Sequence, residues 1–502
     1  MFSTFMEVLD TTVVNVSLPH ISGSLSSTID ESTWVLTSYL VANAIILPLT
    51  GWLARQFGRK RLLMASVVGF TTASFLCGLA PTLPFLIFCR VLQGLSGGAL
   101  QPLSQAVLLE AFAPEDRGKA MGFWGLGIVV APILGPVLGG WLTDSYSWRW
   151  VFYINIPVGA ASILMTQLYI FDPPYIRRST GSVDYWGIGM LAVGIGSLQI
   201  MLDKGQEDDW FESRFITTLA VLTIVGLVAF VIRELKTSHP VVQLKVFKLR
   251  TYSAGVFLMT VVGFVLYGSL VLLPILLQTL LGYPSLQAGI AMAPRGIGSF
   301  IGMPVIGIIL ARFGAKKLLP LGLAGAGGTL LWLGQLNLNA GYWDIFWPQF
   351  IQGLALSLLF VPLTTITMDP IPREEMGNAT SIFNLMRNIG GSLGIATTTM
   401  LLARRAQMHV NLLGASVTPY NPKAQALLYG LRAELMTRGS DASTATRRAY
   451  AAAFGLVNQQ ASMLSFVQIF RGLGILFFLV IPLILIMKAP KRRGGGPVAA
   501  GH

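Results

Sequence analysis

Three ionisable residues stand out because they lie in segments that are otherwise apolar. Glu7 and Asp10 are three residues apart near the start of the chain, and Arg90 lies in a later apolar run. On a helix this spacing puts both carboxylates on one face, where repulsion and desolvation favour protonation of at least one. A nearby arginine stabilises a carboxylate and is released when that carboxylate takes up a proton. The pattern predicts a proton-coupling site of Asp10, Glu7 and Arg90, in which the carboxyl groups bind and release protons and Arg90 is their basic partner.

The composition places these residues in a membrane protein. Of 502 residues, 53% are hydrophobic and only 11% are charged, whereas about 25% of the residues in soluble proteins are charged. The net charge of +13 comes from Lys and Arg in short loops, which is typical of cytoplasmic loops rather than of nucleic-acid binding. Two alternatives stay open: Glu7 could lie at the cytoplasmic interface, and the Arg90 side chain could extend to an interface.

Motifs for other chemistries are missing from the sequence. Cys77 and Cys89 lie inside apolar runs and form neither a disulfide framework nor a set of metal ligands. There is no zinc-ligand spacing, nucleophile elbow or Walker-type phosphate loop. We therefore expect neither an enzyme nor an ATP-driven pump, unless a separate subunit supplies the ATPase. We predict no metal and no cofactor, with a proton gradient as the source of energy.

Apolar segments of about 20 residues, the length needed to cross a membrane, occur fourteen times. Most basic loops follow even-numbered segments, so we predict that both termini are cytoplasmic. The first segment begins at residue 1, as expected of a chain that lacks part of a native cytoplasmic leader. The predicted spans are 2–19, 32–54, 62–80, 84–111, 119–142, 151–170, 186–203, 215–235, 252–281, 286–311, 318–338, 345–369, 379–402 and 463–488.

The sequence also repeats itself at an offset of about 256 residues. Residues 51–63 align with 307–319, Gln93-Gly94 with Gln352-Gly353, and Glu110 with Asp369. Duplicated halves are typical of secondary transporters, in which the binding site lies between the halves. We predict an all-α polytopic fold with a six-helix bundle at 1–178, two linker helices at 179–250, a second six-helix bundle at 251–490 and a cytoplasmic tail at 491–502. An external loop at 403–462 is predicted to form one or two amphipathic helices that cap the protein or dock a partner.

Three further groups of residues are predicted to serve movement and binding. Prolines and small residues in the fifth span predict a hinge at the seam between the halves. The loop after the second span predicts a cytoplasmic latch. Arg387 is a weaker parallel to Arg90 and could reach only the cytoplasmic edge. The hinge residues are Pro132, Gly135, Pro136, Gly139 and Gly140; the gate residues are Gly51, Arg55, Gly58, Arg59 and Lys60; the substrate-cavity candidates are Tyr39, Asn43, Tyr267, Gln278 and Arg387.

These motifs resemble those of the major facilitator superfamily. Residues 51–61, Arg90 with its following Gln-Gly pair, and residues 135–140 are similar to three of its signature motifs, and residues 9–19 and 148–159 resemble its fourteen-helix drug:proton antiporters. The resemblance implies the major facilitator fold, with Asp10 as the coupling acid and Arg90 as its basic partner. One position departs from the pattern. The superfamily often has an acidic residue where this chain has Arg55, so no gating salt bridge is expected through that position.

The resemblance implies proton-coupled export of hydrophobic drugs or toxic metabolites from a bacterial inner membrane. It also implies a periplasmic adaptor and an outer-membrane channel as partners, and no nucleic acid. Export of a single endogenous metabolite is an alternative, which a substrate panel would separate by one strong substrate instead of several weak ones. A non-transporting sensor or scaffold is a second alternative, disfavoured by Asp10, Arg90 and the duplicated architecture.

Overall fold

A computed structural model describes residues 1–113, 116–172, 183–237, 240–418 and 420–487, and every regular element in these ranges is helical. Arg177, Arg178 and Lys488, the predicted boundary at 178 and the predicted tail at 491–502 lie outside the described residues. Each predicted span corresponds to one helix or to two consecutive helices. The helices are α1 (Phe2–Ser24), α2 (Ile29–Phe57), α3 (Arg59–Gly78), α4 (Leu83–Gly97), α5 (Leu100–Ala111), α6 (Arg117–Ser145), α7 (Trp150–Tyr153), α8 (Asn155–Tyr169), α9 (Tyr185–Lys204), α10 (Arg214–Lys236), α11 (Arg250–Ile275), α12 (Ser285–Phe313), α13 (Ala315–Leu333), α14 (Tyr342–Met368), α15 (Met376–Gly414), α16 (Pro422–Thr437) and α17 (Ala442–Val480).

Ten of the described helical segments are long and apolar enough to cross a membrane, or eleven if the bent helix α6 is included. The number of fourteen spans therefore stays a prediction. The long helices α1, α13 and α15 are not among those segments, and each carries charged residues that lower its hydropathy. These are Glu7 and Asp10 in α1, Lys316 and Lys317 in α13, and Arg387 in α15, with other basic residues nearer its end.

The helices pack as two bundles with the same internal pairing. In the first bundle, α1 packs against α6, α2 against α4, and α3 against α8. In the second bundle, α11 packs against α15, α12 against α14, and α13 against α17. Each pair in the second bundle is built from the segments that repeat those of the first. We call the surface between the bundles the seam; there α2 and α5 contact α15, and α6 contacts α12 and α14.

The two helices between the bundles are connected to this seam. Helices α9 and α10 pack against each other, and α9 also contacts α2 and α15. The side chains of Gln199 in α9 and Ser392 in α15 are joined by hydrogen bonds of 3.0 and 3.1 Å. Helix α9 therefore touches both bundles at the surface where they meet.

The segment at 403–462 differs from the loop that the sequence predicts. Helix α15 continues to Gly414, and α17 begins at Ala442 instead of near residue 463. Each of these helices has 39 residues and is about 58 Å long, against about 30 Å for a bilayer core. Their continuation is explained by sequence without Pro, rich in Ala and other helix-forming residues. Between them lies α16, which has Asn421 as its N-cap and Pro422 as its first residue.

Candidate functional site

Asp10 and Arg90 form a buried ion pair inside the first bundle. Arg90 Nη1 in α4 donates a 2.5 Å hydrogen bond to Asp10 Oδ2 in α1, and both side chains are fully buried. The other carboxylate oxygen, Oδ1, accepts from Gln93 Nε2 at 2.9 Å and from Asn155 Nδ2 at 2.7 Å. The carboxylate thus accepts hydrogen bonds from three donors, and one of them is a cation. The structure thus brings together the acid and the arginine that the sequence singles out.

Arg90 is fixed in place by groups from two helices besides α1. Its Nε donates to the carbonyl oxygen of Val35 in α2 at 3.0 Å, and its Nη1 also donates to Gln93 Oε1 at 2.8 Å. The guanidinium carbon lies 4.2 Å from the centre of the Tyr39 ring, a cation–π contact. Tyr39 is buried and packs in this ion-pair cluster. The suggestion that Tyr39 lines a substrate cavity stays a prediction.

Asn155 is a site residue that the sequence did not single out. It begins α8, where the helical passage restarts after α7, and it is 1% exposed. Its Nδ2 donates both to Asp10 and, at 3.0 Å, to Ser74 Oγ, so it links α8 to α1 and α3. The feature of the sequence that could have pointed to Asn155 is its amide side chain in an apolar segment, within the stretch 148–159 that resembles the antiporter motif.

Glu7 has a different set of partners, although it lies on the same helix as Asp10. Its Oε1 accepts a 2.8 Å hydrogen bond from Asn43 Nδ2 in α2. Gln101 of α5 lies next to the Glu7 carboxyl group and also accepts a hydrogen bond from Arg387 Nη2 of α15. Glu7 and Arg387 therefore face each other through Gln101 across the seam, and their opposite charges interact.

A row of polar contacts continues along α15 at the seam. Asn384 Nδ2 donates to Gln105 Oε1 at 2.5 Å, and Thr380 Oγ1 donates to the Pro102 carbonyl oxygen at 3.2 Å. Thr380, Asn384 and Arg387 follow one another at intervals of four and three residues, so they share one helix face. This face meets α5 of the first bundle. Arg387 is 1% exposed, so it lies inside the protein and not at an edge.

Two glycines of the repeated loop motif lie at equivalent positions in the seam. We call the end of the bundles that holds the α2–α3 and α12–α13 turns the basic end. Here a Cβ atom on Gly51 would lie 2.6 Å from the Cα of Asn378, and one on Gly307 would lie 2.9 Å from the Cα of Lys119. Only glycine allows backbones to approach this closely. The two bundles are thus in backbone contact at the basic end, on both sides of their pseudo-symmetry axis.

The other predicted gate residues form contacts around this end. Gly58 has φ of +89° and makes the turn between α2 and α3. Arg59 forms a buried ion pair with Glu110 of α5. The Lys60 amide donates to Asp172 Oδ1 at 2.8 Å. These three residues therefore hold the first bundle together without crossing the seam.

Arg55 is the gate residue that reaches towards the other bundle. It is half-buried and interacts attractively with Glu375, just before α15. The superfamily motif often has an acid at the position of Arg55. In this chain the arginine lies on α2 and the acid, Glu375, lies just before α15, and the two attract each other across the seam. Together with Gly51, Arg55 makes the end of α2 the gate segment that contacts the second bundle.

The predicted hinge motif lies partly away from the seam. Helix α6 bends by 44° between Pro132 and Leu134. A Cβ atom on Gly135 would strike the Thr12 side chain, and one on Gly139 would lie 2.8 Å from the Val13 carbonyl oxygen. These glycines therefore pack against α1, within the first bundle and just after Asp10. Their predicted position at the seam is wrong, because the seam contacts of α6 are made by other residues, including Gly118 and Gly122.

The remaining motif and cavity residues are less closely packed. Pro136 is exposed and Gly140 has no atom within 4 Å of a Cβ position. Tyr267 of α11 is half-buried, packs beside Gly391 and interacts with Arg387. Gln278 is exposed in the π-helical turn Leu276–Leu280.

The described part of the chain holds no cluster of three His, Cys, Asp or Glu side chains that could bind a metal ion. The sequence pattern of the Major Facilitator Superfamily matches residues 1–395. The chain belongs to this superfamily. Membership makes it a multi-span membrane protein of a transporter family and not a catalytic enzyme.

Comparison with individual members of the superfamily places the chain among exporters. It is 38% identical over 495 residues to the multidrug export protein EmrB of Escherichia coli K12, covering 98% of this chain and 95% of EmrB. It is 38% identical over 504 residues to the fatty acid resistance protein FarB of Neisseria gonorrhoeae, covering 98% and 96% of the two chains. The human organic anion transporter MFSD10 has the same fold, with a TM-score of 0.60 at 13% identity over 96% of this chain and 97% of MFSD10.

Proposed function

We propose that this protein is a drug:proton antiporter, a secondary-active exporter of small hydrophobic or amphipathic compounds. The observation that carries the proposal is the fully buried Asp10–Arg90 pair in a major facilitator bundle. Ionisable groups at such depth are expensive and are retained where they serve transport. Similarity to EmrB and FarB over nearly the whole chain supports export of several apolar compounds instead of one metabolite.

The pair provides a physical route from proton binding to a change of shape. A proton on Asp10 would remove the charge that balances Arg90 and leave a buried cation whose acceptors, among them the Val35 and Gln93 oxygens, are all neutral. An uncompensated buried charge costs about 3–5 kcal/mol, enough to shift a two-state equilibrium more than a hundredfold. Glu7 is the second acid of the system, and its nearest charged partner, Arg387, belongs to the other bundle.

The response to this imbalance is alternating access by rocking of the two bundles. Asp10 lies on α1, which packs against α6, and Arg90 is bonded to α2. Both α2 and α6 contact the second bundle at the seam. A rearrangement of the ion pair would therefore act directly on the helices that hold the bundles together, and the bend of α6 after Pro132 would serve as a hinge.

The cellular setting follows from the same argument. The chain would cross a bacterial inner membrane fourteen times with both termini in the cytoplasm, and its basic end would face the cytoplasm. It would act with a periplasmic adaptor and an outer-membrane channel. Helices α15 and α17 are longer than a bilayer core is thick, and α16 lies between them in the chain. The part of these helices that would extend out of the membrane is the surface available to such an adaptor. The proton gradient would supply the energy, with no other cofactor.

Transport by purified protein in proteoliposomes tests the proposal. Efflux of a lipophilic cationic dye and of an uncoupler-like weak acid is measured with an imposed pH gradient. Wild type and Asp10→Asn are compared, with Asp441→Asn as a control that makes the same change at an exposed site. We expect gradient-driven transport by wild type and by the control, and its loss in Asp10→Asn. Equal transport by Asp10→Asn would move the coupling to another residue, and no gradient-driven transport by wild type would refute the proposal.

A further inference from the structure

Arg387 is a buried cation with unused hydrogen-bonding capacity. Its Nη2 donates to Gln101 and, at 3.3 Å, to Asn388 Oδ1, but Nε and Nη1 have no partner among the described residues. No carboxylate in that part of the chain forms an ion pair with it. Because a buried donor without a partner costs free energy, and a buried charge costs more, this arrangement is expected to be completed by something else in the transport cycle.

Glu7 is the carboxylate that interacts attractively with Arg387 across the seam, and Gln101 lies between the two side chains. One Glu7 oxygen, Oε1, is already bonded to Asn43, and Oε2 has no partner. A carboxylate can be neutralised by a proton, whereas a guanidinium stays charged in proteins. The lasting unmatched charge in the seam is therefore positive, and it is located on Arg387.

The position of Arg387 is suitable for a transported molecule. It lies on the α15 face that meets α5, so it is enclosed when the bundles are together and uncovered when they separate at this face. Tyr267, half-buried on α11, is close enough to interact with it. A guanidinium beside an aromatic ring offers a polar contact for a head group and an apolar contact for the chain that carries it.

We propose that Arg387 binds the anionic head group of amphipathic substrates, such as a carboxylate or a sulfonate on an apolar chain. The bound anion takes the place of Glu7 as the charge that balances Arg387 and accepts hydrogen bonds from Nε or Nη1. This inference rests on the proposed export function and adds to it the substrate class and the residue that selects it.

Two probes with permanent and opposite charges test the selection. Decanesulfonate and decyltrimethylammonium have the same chain length, and their binding to protein in nanodiscs is measured by calorimetry with empty nanodiscs subtracted. For Arg387→Gln we expect at least about tenfold weaker binding of decanesulfonate, as for loss of hydrogen bonds from a charged donor, and binding of the cation that is as tight as in the wild type or tighter. Arg387→Lys should be intermediate. Arg438→Gln, which removes an exposed charge outside the seam, should bind both probes as wild type does.

Glu7→Gln gives a second readout that a structural role of Arg387 would not produce. Removing the internal counter-charge should tighten binding of decanesulfonate and weaken binding of decyltrimethylammonium. If Arg387→Gln does not fold, this variant decides the question, and unchanged anion binding would overturn the proposal. Tighter binding of decyltrimethylammonium than of decanesulfonate by the wild type would also overturn the proposal. The two proposals fail in different experiments. If the export function is wrong, gradient-driven efflux is absent, whereas the preference for the anionic probe is measured by binding without a gradient.

Discussion

The Arg90 guanidinium donates a 2.5 Å hydrogen bond to the Asp10 carboxylate, and neither side chain has any exposed surface. The two residues are 80 positions apart in sequence and lie on helices of the same bundle. Because the pair does not cross the seam, it can change the shape of one bundle without itself being a contact between bundles. The contacts that do cross the seam include those of Gly51, Gln101 and Gln105 with residues of α15.

Removal of one partner of this pair is expected to be worse than removal of both charges. Arg90→Met leaves the Asp10 carboxylate buried without its cation and should lower the free energy of unfolding by about 3–5 kcal/mol. Combining it with Asp10→Asn should recover part of that loss. Thermal unfolding in detergent measures both variants and the single Asp10→Asn control. Additive losses in the double variant would mean that the two side chains are not energetically coupled.

Asn155 is expected to be needed for the same site. In Asn155→Leu the carboxylate of Asp10 loses one of its three donors and Ser74 loses a partner, although the size of the side chain is nearly kept. A hydrogen bond to a charged group contributes about 1.5–3 kcal/mol, so gradient-driven efflux should fall by about tenfold or more. Asn411→Leu, an exposed asparagine on α15, is the matched control. Wild-type efflux in Asn155→Leu would remove this residue from the coupling site.

The glycine contacts at the basic end predict an effect on opening. A methyl group on Gly51 or Gly307 meets backbone atoms of the other bundle, which cannot move aside as a flexible side chain can. Gly51→Ala and Gly307→Ala should each separate the bundles at this end. An impermeant maleimide should then label a cysteine introduced at Asn378, buried in the structure, faster than in the parent protein. Gly472→Ala, where a Cβ has no neighbour within 4 Å, should leave the labelling rate unchanged, and equal rates in all variants would contradict the prediction.

The attraction between Arg55 and Glu375 predicts that their charges can be exchanged. Arg55→Glu places two acids together at the seam and should weaken the closed contact at the basic end, increasing the same maleimide labelling. The double variant with Glu375→Arg should restore the rate of the parent. Both residues are partly exposed, so the effect of Arg55→Glu should diminish at high salt. No rescue by the exchanged pair would show that Arg55 acts through another group.

Much of the architecture could be predicted from the sequence. The length of the apolar segments and the charge of the loops located the helices. The matches of Gly51 with Gly307 and of Gln93 with Gln352 revealed the duplication, and in the structure the helices of the two bundles pair in the same way. Ionisable residues in apolar segments pointed to Asp10 and Arg90 because such residues are rare and costly there. The sequence analysis underestimates the extent of α15 and α17, because a polar helix has no hydrophobic signal that distinguishes it from a loop.

The partners of these residues were decided only by the tertiary structure. Hydrophobicity along the chain reports which residues avoid water, but the choice of neighbour depends on which helix faces meet, and these belong to segments up to hundreds of residues apart. Asn155 and Gln101 are neutral amides, so no charge marks them as partners of Asp10 and Arg387. The meeting of helix faces also explains why Tyr39 packs against Arg90, why Gly135 contacts α1 and why Arg387 lies in the seam. The sequence by itself determined a duplicated helical membrane protein with an acid and an arginine in its core, and packing determined what each of them touches.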